Sequence, residues 1–265
     1  MIDALLRDVL LRAPAPALHV NYRYLLAWAQ AVGGRILDFG CGEGQIVAAA
    51  RALGLDVEGA DVFYGGSEAR RVVEAAGLLG ASIREIKDGK LPFEDRRFDL
   101  VVSNQVFEHI EALGPALDEV ARVLKPEGLL VCTFPTLEVV REAHCGVPFL
   151  HRLPRDGRRV EWAARWQRFG FGYDKERKSK AQWAAEAVEW MDRYVHYRRR
   201  SENLREFGRR FDVRSMEEHY LAYRLRRKGA AGRLAALLRI PWARAAGCGI
   251  CRRFNGIVLL ARPRV

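Results

Sequence analysis

Short apolar runs alternate with amphipathic stretches along this chain. Arg35-Ile36-Leu37-Asp38-Phe39 predicts a strand, and a helical run begins at Gln45. Residues 55–60 predict the next strand, with Asp61 at its end. Residues 98–102 are apolar apart from Asp99, without strict alternation, as suits a parallel strand buried on both faces. Leu113, Leu117, Val120 and Leu124 recur at helical spacing, so residues 113–124 predict a helix with one face on a sheet. Pro126 and Gly128 are expected to stop that helix and turn the chain into a strand over residues 129–134. Two further strands are predicted over residues 211–214 and 255–261, and helical spacing runs through residues 157–200. Residues 234–240, with Pro241-Trp242, read as a short amphipathic helix for core packing, a membrane surface or a partner.

The first strand and its helix are joined by Gly40, Gly42 and Gly44. Glycines let the backbone turn sharply and approach a ligand, while the helix start offers bare N–H groups. A dinucleotide turn of this kind welcomes a pyrophosphate. Here Asp38 and Glu43 put negative charge beside it, which suits a cationic ligand without phosphate. Asp61 follows about 20 residues on, where a carboxylate can accept both hydroxyls of a ribose. Together they point to an adenosine-like ligand. Ser103, Asn104 and Gln105 sit at the carboxyl end of the strand over residues 98–102, where open α/β sheets bind ligands. Cys41 is a small residue that fits the turn.

Three strings carry a resemblance. They are Asp38-Phe39-Gly40-Cys41-Gly42-Glu43-Gly44, the stretch 91–103 followed by Phe107-Glu108-His109-Ile110, and the stretch 119–130 around Leu124-Lys125-Pro126-Glu127-Gly128. Over about residues 30–135 the chain resembles the class I S-adenosylmethionine-dependent methyltransferases, in the branch near the ubiquinone/menaquinone C-methyltransferases and their small-molecule relatives. The resemblance implies an α/β, Rossmann-like methyltransferase fold: a mostly parallel seven-stranded sheet with an antiparallel last strand, plus a helical cap and lid. The expected divisions of one domain are a cap over 1–30, a cofactor core over 31–136, a substrate-side lid over 137–208 and sheet completion over 209–265. The implied cofactor is S-adenosyl-L-methionine, held by Asp38, Gly40, Cys41, Gly42, Gly44, Asp61, Val62, Asn104, Gln105 and His109. Relatives place an acid on the adenine amino group in the loop before Leu91, which makes Asp88 and Gly89 candidates. In the cap, His19, Tyr22 and Tyr24 are candidates to face the pocket.

Methyl transfer needs an acceptor placed in line with the sulfonium carbon and a route for its proton. Candidate bases follow the fifth strand in Glu142-Ala143-His144-Cys145-Gly146-Val147-Pro148-Phe149-Leu150-His151. His144 is the first choice, with Glu142 or Glu138 orienting it, and His151 is the second. A capping or buried hydrogen-bonding role for His144 stands beside that reading. His144 and His151 lack a placed third ligand, so no metal is assigned. The expected reaction is O-methylation of a small-molecule or glycan hydroxyl. The alternatives are a carbon on a quinone-like or polyketide ring, an RNA, or a non-catalytic cofactor-binding module. Asn104-Gln105-Val106-Phe107 stands where an Asn-Pro-Pro-Tyr amine motif would, which argues against exocyclic base amines.

Charge and composition refine this picture. The 265 residues are 49% hydrophobic, enough for a large core. No apolar run approaches the roughly 18 residues that span a bilayer. Asp3, Arg7 and Asp8 interrupt the first residues, unlike a secretory signal. Five cysteines without regular spacing suggest reduced thiols and a cytoplasmic protein. Cys248-Gly249-Ile250-Cys251 has a knuckle's spacing but no second pair. The net charge is +11, and residues 152–228 hold 22 Lys+Arg against 12 Asp+Glu, so this segment carries nearly all of it. It includes Lys175-Glu176-Arg177-Lys178, Arg198-Arg199-Arg200 and Arg224-Leu225-Arg226-Arg227-Lys228. Such a segment is either a solvated helix surface or a face for anionic substrates, nucleic acid or an anionic membrane. Its interleaved aromatics, Trp162, Trp166, Trp183, Trp190, Tyr194 and Tyr197 among them, suit a lid that stacks on an acceptor.

Overall fold

Seven strands form one sheet in a computed structural model that describes residues 2–64, 68–175, 178–226 and 235–264. They are β1 (Arg35–Phe39), β2 (Asp56–Asp61), β3 (Ile83–Glu85), β4 (Phe98–Asn104), β5 (Leu124–Phe134), β6 (Phe211–Ser215) and β7 (Ile257–Pro263). Their order is β3-β2-β1-β4-β5-β7-β6. β1 to β5 pair in parallel, and β7 runs antiparallel to both β5 and β6. Strand order reverses between β1 and β4, so their carboxyl ends part around a crevice. In that register Asp38 stands level with Gly59 on one side and Val102 on the other.

The continuous apolar strands divide their side chains between two faces, because alternate residues point opposite ways. Ile36, Leu100, Val131 and Leu260 join Tyr24 and Trp28 of α2 (Val20–Val32) and Tyr220 and Tyr223 of α9 (Glu217–Arg226) in one core. Leu37, Val101, Leu130 and Leu259 join Leu117 of α5 (Leu113–Val123), Phe107, Phe134 and Phe207 of α8 (Arg200–Gly208) in the other. The helix after the glycine turn is α3 (Gln45–Ala52), α4 (Ala69–Ala75) follows β2, and α1 (Ile2–Leu11) packs onto the first core.

Between β5 and β6 lies an insert with α6 (Gly157–Arg168) and α7 (Lys180–Tyr194), leading into α8. It has a core of its own, in which Trp183, Val188 and Met191 meet Val147, Leu150 and Ala163. Indole N–H groups pin its loops: Trp162 donates to the Pro148 carbonyl and Trp183 to that of Tyr173, both at 2.7 Å. Much of the aromatic content of this segment is therefore structural.

Three expectations change. Pro126 and Gly128 do not separate a helix from a strand: α5 ends at Val123 and β5 begins at Leu124. The pair lies in a bend of β5, where pairing with β4 slips between Phe98 and Leu100. The short helix over 234–240 is a 3₁₀ helix over residues 235–239, with Leu234 outside the described residues, and Pro241 then opens a separate 14-residue helix, α10 (Pro241–Phe254), at the position where a missing N–H costs nothing. The basic segment is largely paired within the fold. Arg159 and Arg200 bond Asp192 and the buried Glu217, and Arg152 and Arg198 donate to backbone carbonyls. Glu176, Arg177, Arg227 and Lys228 lie outside the described residues. No helix among the described residues is long and apolar enough to cross a membrane.

Gly256 fixes the entry into β7. Its φ is +96°, and a Cβ there would meet the Phe134 carbonyl oxygen at 2.2 Å and Pro135 Cα at 2.5 Å. Gly54 has a φ of +74° with nothing within 4 Å. Gly256→Ala should therefore cost about 3 kcal/mol in urea unfolding and Gly54→Ala about 1, since only the first adds a backbone clash to the strain. Equal costs would contradict this placement of β7 against β5.

Candidate active site

The glycine turn is held by β2. The Gly40 and Cys41 amides both donate to the Ala60 carbonyl, at 2.8 and 3.1 Å. Gly40 has a φ of +74°, and a Cβ there would strike Val106 Cγ2 at 2.2 Å. Gly44 serves another end: a Cβ on it would meet Ile83 Cδ1 at 2.7 Å, so it lets α3 close on the sheet. Asp61 ties the turn as well. Its Oδ2 accepts from the Gly42 amide at 2.9 Å and its Oδ1 from that of Phe63 at 2.8 Å.

Above the crevice is a cavity of about 600 Å³. Asp38, Gly40, Cys41, Gly42 and Glu43 line it from β1, and Asp61, Val62 and Tyr64 from the end of β2. Asn104, Gln105, Val106, His109 and Ile110 line it from the end of β4, Tyr22 from α2 and His144 from the insert. Of the cap candidates Tyr22 alone arrives: His19 caps α2 through the Asn21 amide, and Tyr24 is buried against His219. Asp88 and Gly89 stand apart. The Ile86 amide bonds the Asp61 carbonyl at 2.8 Å, so Ile86 takes the place at the strand end and lines the cavity. Asp88 lies beyond, exposed at a φ of +52° in the tight turn that joins Lys87 to Lys90.

Two histidines meet at the cavity wall. His144 Nδ1 lies 2.8 Å from Glu142 Oε1, as the sequence suggested for that pair. Its Nε2 lies 3.1 Å from Nε2 of His109, whose Nδ1 is 2.7 Å from the Tyr194 carbonyl. Glu142 is fully buried and also accepts from the His144 and Cys145 amides and the Tyr197 hydroxyl. Burial pushes the Glu142 carboxyl up, but these donors outweigh it and hold it at about 2. Burial lowers His144, and the charge and hydrogen bond of Glu142 more than reverse that. Burial, aided by the charge of His144, depresses His109 to about 4. Glu108 is buried beside them and burial lifts it to about 8. His151 does not join the group: it packs on Tyr197, faces the Leu137 carbonyl at 3.3 Å, and burial lowers it to about 4. Glu138 instead accepts from the Arg200 amide. Glu108 is the residue that sequence reasoning left without a role, although it stands in the Phe107-Glu108-His109-Ile110 string. Among the described residues, the group placed to hold a metal is Glu108, His109 and His144. Cys248 and Cys251 fall three apart on α10 and belong to no such group.

A family profile described as a methyltransferase domain matches residues 37–132. The ubiquinone biosynthesis O-methyltransferase of Roseobacter denitrificans is 36% identical over 101 residues, 38% of this chain and 41% of that protein. Its counterpart from a Chelativorans species is 32% identical over 126 residues, 46% of this chain and 50% of that protein. Over residues 37–132 the chain is similar to methyltransferase domains. The chain spans half or less of the length of these curated relatives. Among solved structures, an S-adenosylmethionine-dependent methyltransferase from Mesorhizobium loti aligns with 88% of this chain and 92% of its own at 18% identity and a TM-score of 0.47.

The residues that line the cavity fit S-adenosylmethionine. The cavity has room for it, the turn leaves no Cβ in the way, and three carboxylates meet a ligand that carries cationic groups. Asp38 is 2% exposed, and burial, reinforced by the charge of Asp61, lifts it to about 8.

Two outcomes follow for ligand binding. S-adenosylhomocysteine should bind in the micromolar range, about −8 kcal/mol. Asp61→Ala should weaken it by about 1–3 kcal/mol in calorimetry, because the substitution removes a charged acceptor and releases the Gly42 amide. A Kd within twofold of the wild type would contradict the role of Asp61. Asp38 is raised, so its burial is free of cost below its ordinary 3.8 and the free protein loses stability as the pH rises through about 8. A cationic ligand favours the ionised form. Binding should release a proton, and affinity should climb between about pH 6 and 8. Calorimetry in buffers of different ionisation enthalpy measures this, and no proton release in that window would count against it.

Proposed function

We propose that this chain transfers a methyl group from S-adenosylmethionine to a hydroxyl of a small molecule or glycan. The observation that carries the reading is the position of His144. It lines the cofactor cavity and also a second cavity of about 440 Å³ within the insert, walled by Tyr173, Trp183 and Trp190. An acceptor in the second cavity reaches the first past His144. The aromatic walls suit a ring or a sugar face, with Asp174, Lys178 and Glu186 at the same cavity as polar partners for its hydroxyls.

The cofactor supplies a methyl on a sulfonium sulfur: an oxygen lone pair forms the new C–O bond while the S–C pair stays on sulfur. The rest falls to the chain. Tyr64, which lines the cofactor cavity, packs on Tyr194 of α7 with tilted rings whose centroids are 4.8 Å apart. Trp190 packs on His144 at 5.1 Å and on His109 at 5.9 Å, fixing both rings. The acceptor must lose its proton, and the polar groups at the boundary of the cavities are those around His144. We assign His144 to the acceptor oxygen and Glu142 to positioning His144.

This polar cluster favours oxygen over carbon, because a carbon acceptor on an activated ring needs less help with its proton. The names of the curated relatives support the same direction. An RNA acceptor is disfavoured, since Arg152, Arg159, Arg198 and Arg200 are engaged within the fold.

Release of S-adenosylhomocysteine should be assayed against a panel of phenols, catechols and sugar hydroxyls. With the best acceptor, His144→Ala should cut turnover by about 10²–10⁴-fold and leave cofactor affinity nearly unchanged. Glu142→Gln should have a smaller effect of the same kind. Near-full turnover in His144→Ala would move the reading to a carbon or pre-ionised acceptor, and no turnover on any acceptor would favour a non-catalytic binding module.

A further inference from the structure

We propose that Glu108, His109 and His144 hold a divalent transition-metal ion in the wall of the cofactor cavity. The outer nitrogens of the two rings argue for it first. His109 Nδ1 faces the Tyr194 carbonyl oxygen, which can only accept, so that nitrogen carries the hydrogen. His144 Nδ1 faces Glu142 Oε1, whose carboxylate is already fixed by two backbone amides and Tyr197, so it too carries a hydrogen. With one hydrogen on each ring, both Nε2 atoms carry lone pairs, and they lie 3.1 Å apart. Two lone pairs do not meet at that distance without a cation between them.

Glu108 says which cation. Its side chain is buried, neither carboxylate oxygen has a hydrogen-bond partner, and Oε1 lies 3.9 Å from His144 Nε2. An unpaired carboxylate is costly to bury. A proton shared by the rings leaves Glu108 uncompensated or forces a second proton onto it. One dication satisfies all three groups, whose donor atoms lie within 4.8 Å of one another. Nitrogen–metal bonds of about 2.1 Å spanning that 3.1 Å gap subtend about 95°, an angle open to tetrahedral and octahedral ions alike. The outer contacts have the form that holds metal-binding histidines: a carboxylate for one ring and a backbone carbonyl for the other. Two imidazoles and one carboxylate suit zinc, iron(II), cobalt or manganese rather than magnesium or calcium.

Three protein ligands leave a coordination position free, and His109 and His144 both line the cofactor cavity. Resting on the hydroxyl reading above, with His144 then acting on the acceptor through the ion and not as its base, the acceptor oxygen would take that position. Coordination would lower its pKa, its proton would pass to water, and the ionised oxygen would attack the methyl. The metal site itself stands independently of that reading.

The test uses the full chain, purified from cells grown with added zinc, cobalt or manganese and dialysed exhaustively, with metal per chain measured by plasma mass spectrometry. About one equivalent is expected for at least one of these ions. Glu108→Gln and His109→Asn should retain less than a tenth of it, and Glu142→Gln should weaken binding by about 10–100-fold. A cobalt(II) titration of the unsubstituted chain, read by its visible absorption bands, needs no variant to fold. Less than a tenth of an equivalent of every ion, with no cobalt bands and no rise in melting temperature on adding zinc, would overturn the site in favour of protons. Bound metal without transfer to any hydroxyl would leave the site standing and sink the functional reading alone.

Discussion

The buried carboxylate of Glu142 is the constraint on which the candidate site depends. It accepts from the amides of His144 and Cys145, from the His144 ring and from Tyr197, which enters from beyond α7. One charged group thereby shapes the loop after β5, orients a histidine toward the cofactor cavity and docks the helical insert onto the sheet. Without it four donors would lose their acceptor inside the protein, where an unmet polar group is costly. The apolar core of the insert keeps that arrangement rigid, and Trp190 holds the two histidine rings from the other side.

A second carboxylate does comparable work on the opposite wall. Asp61 closes the glycine turn through Gly42 and at the same time faces the cavity. Burial, reinforced by the charge of Asp61, lifts the Asp38 carboxyl to about 8, and a cationic ligand favours its ionised form. The site is thus preset toward a cationic ligand, and shifted carboxyls of this kind gather at functional sites.

The core of this architecture was legible because it is local. Apolar runs, the three glycines and the spacing to Asp61 are set within a few residues, and they placed β1, β2, β4 and most of the cavity. What failed depends on geometry beyond the sequence neighbourhood. Ile86 displaces Asp88 because β3 ends one residue before it and Asp88 then turns away. Pro126 and Gly128 sit in a bent strand because β5 must begin early enough for Leu124 to pair with Phe98. His144 and His151 are the first and second choices in sequence, and only the fold shows one in the cavity wall and the other against a carbonyl. Glu108 and His109 acquire their meaning from a partner 35 residues away from His109. Arginines counted as surface charge turned out to bind carbonyls and buried acids, which no composition reveals.

The central claim is that the cofactor's sulfur and the His144 cluster share one reaction space. A crystal structure with S-adenosylhomocysteine tests it most directly. The account predicts the ribose hydroxyls on Asp61 and the sulfur turned toward His109 and His144, with the insert cavity opening onto it. A sulfur walled off from His144 by protein, or an adenosine bound away from Asp61, would contradict it.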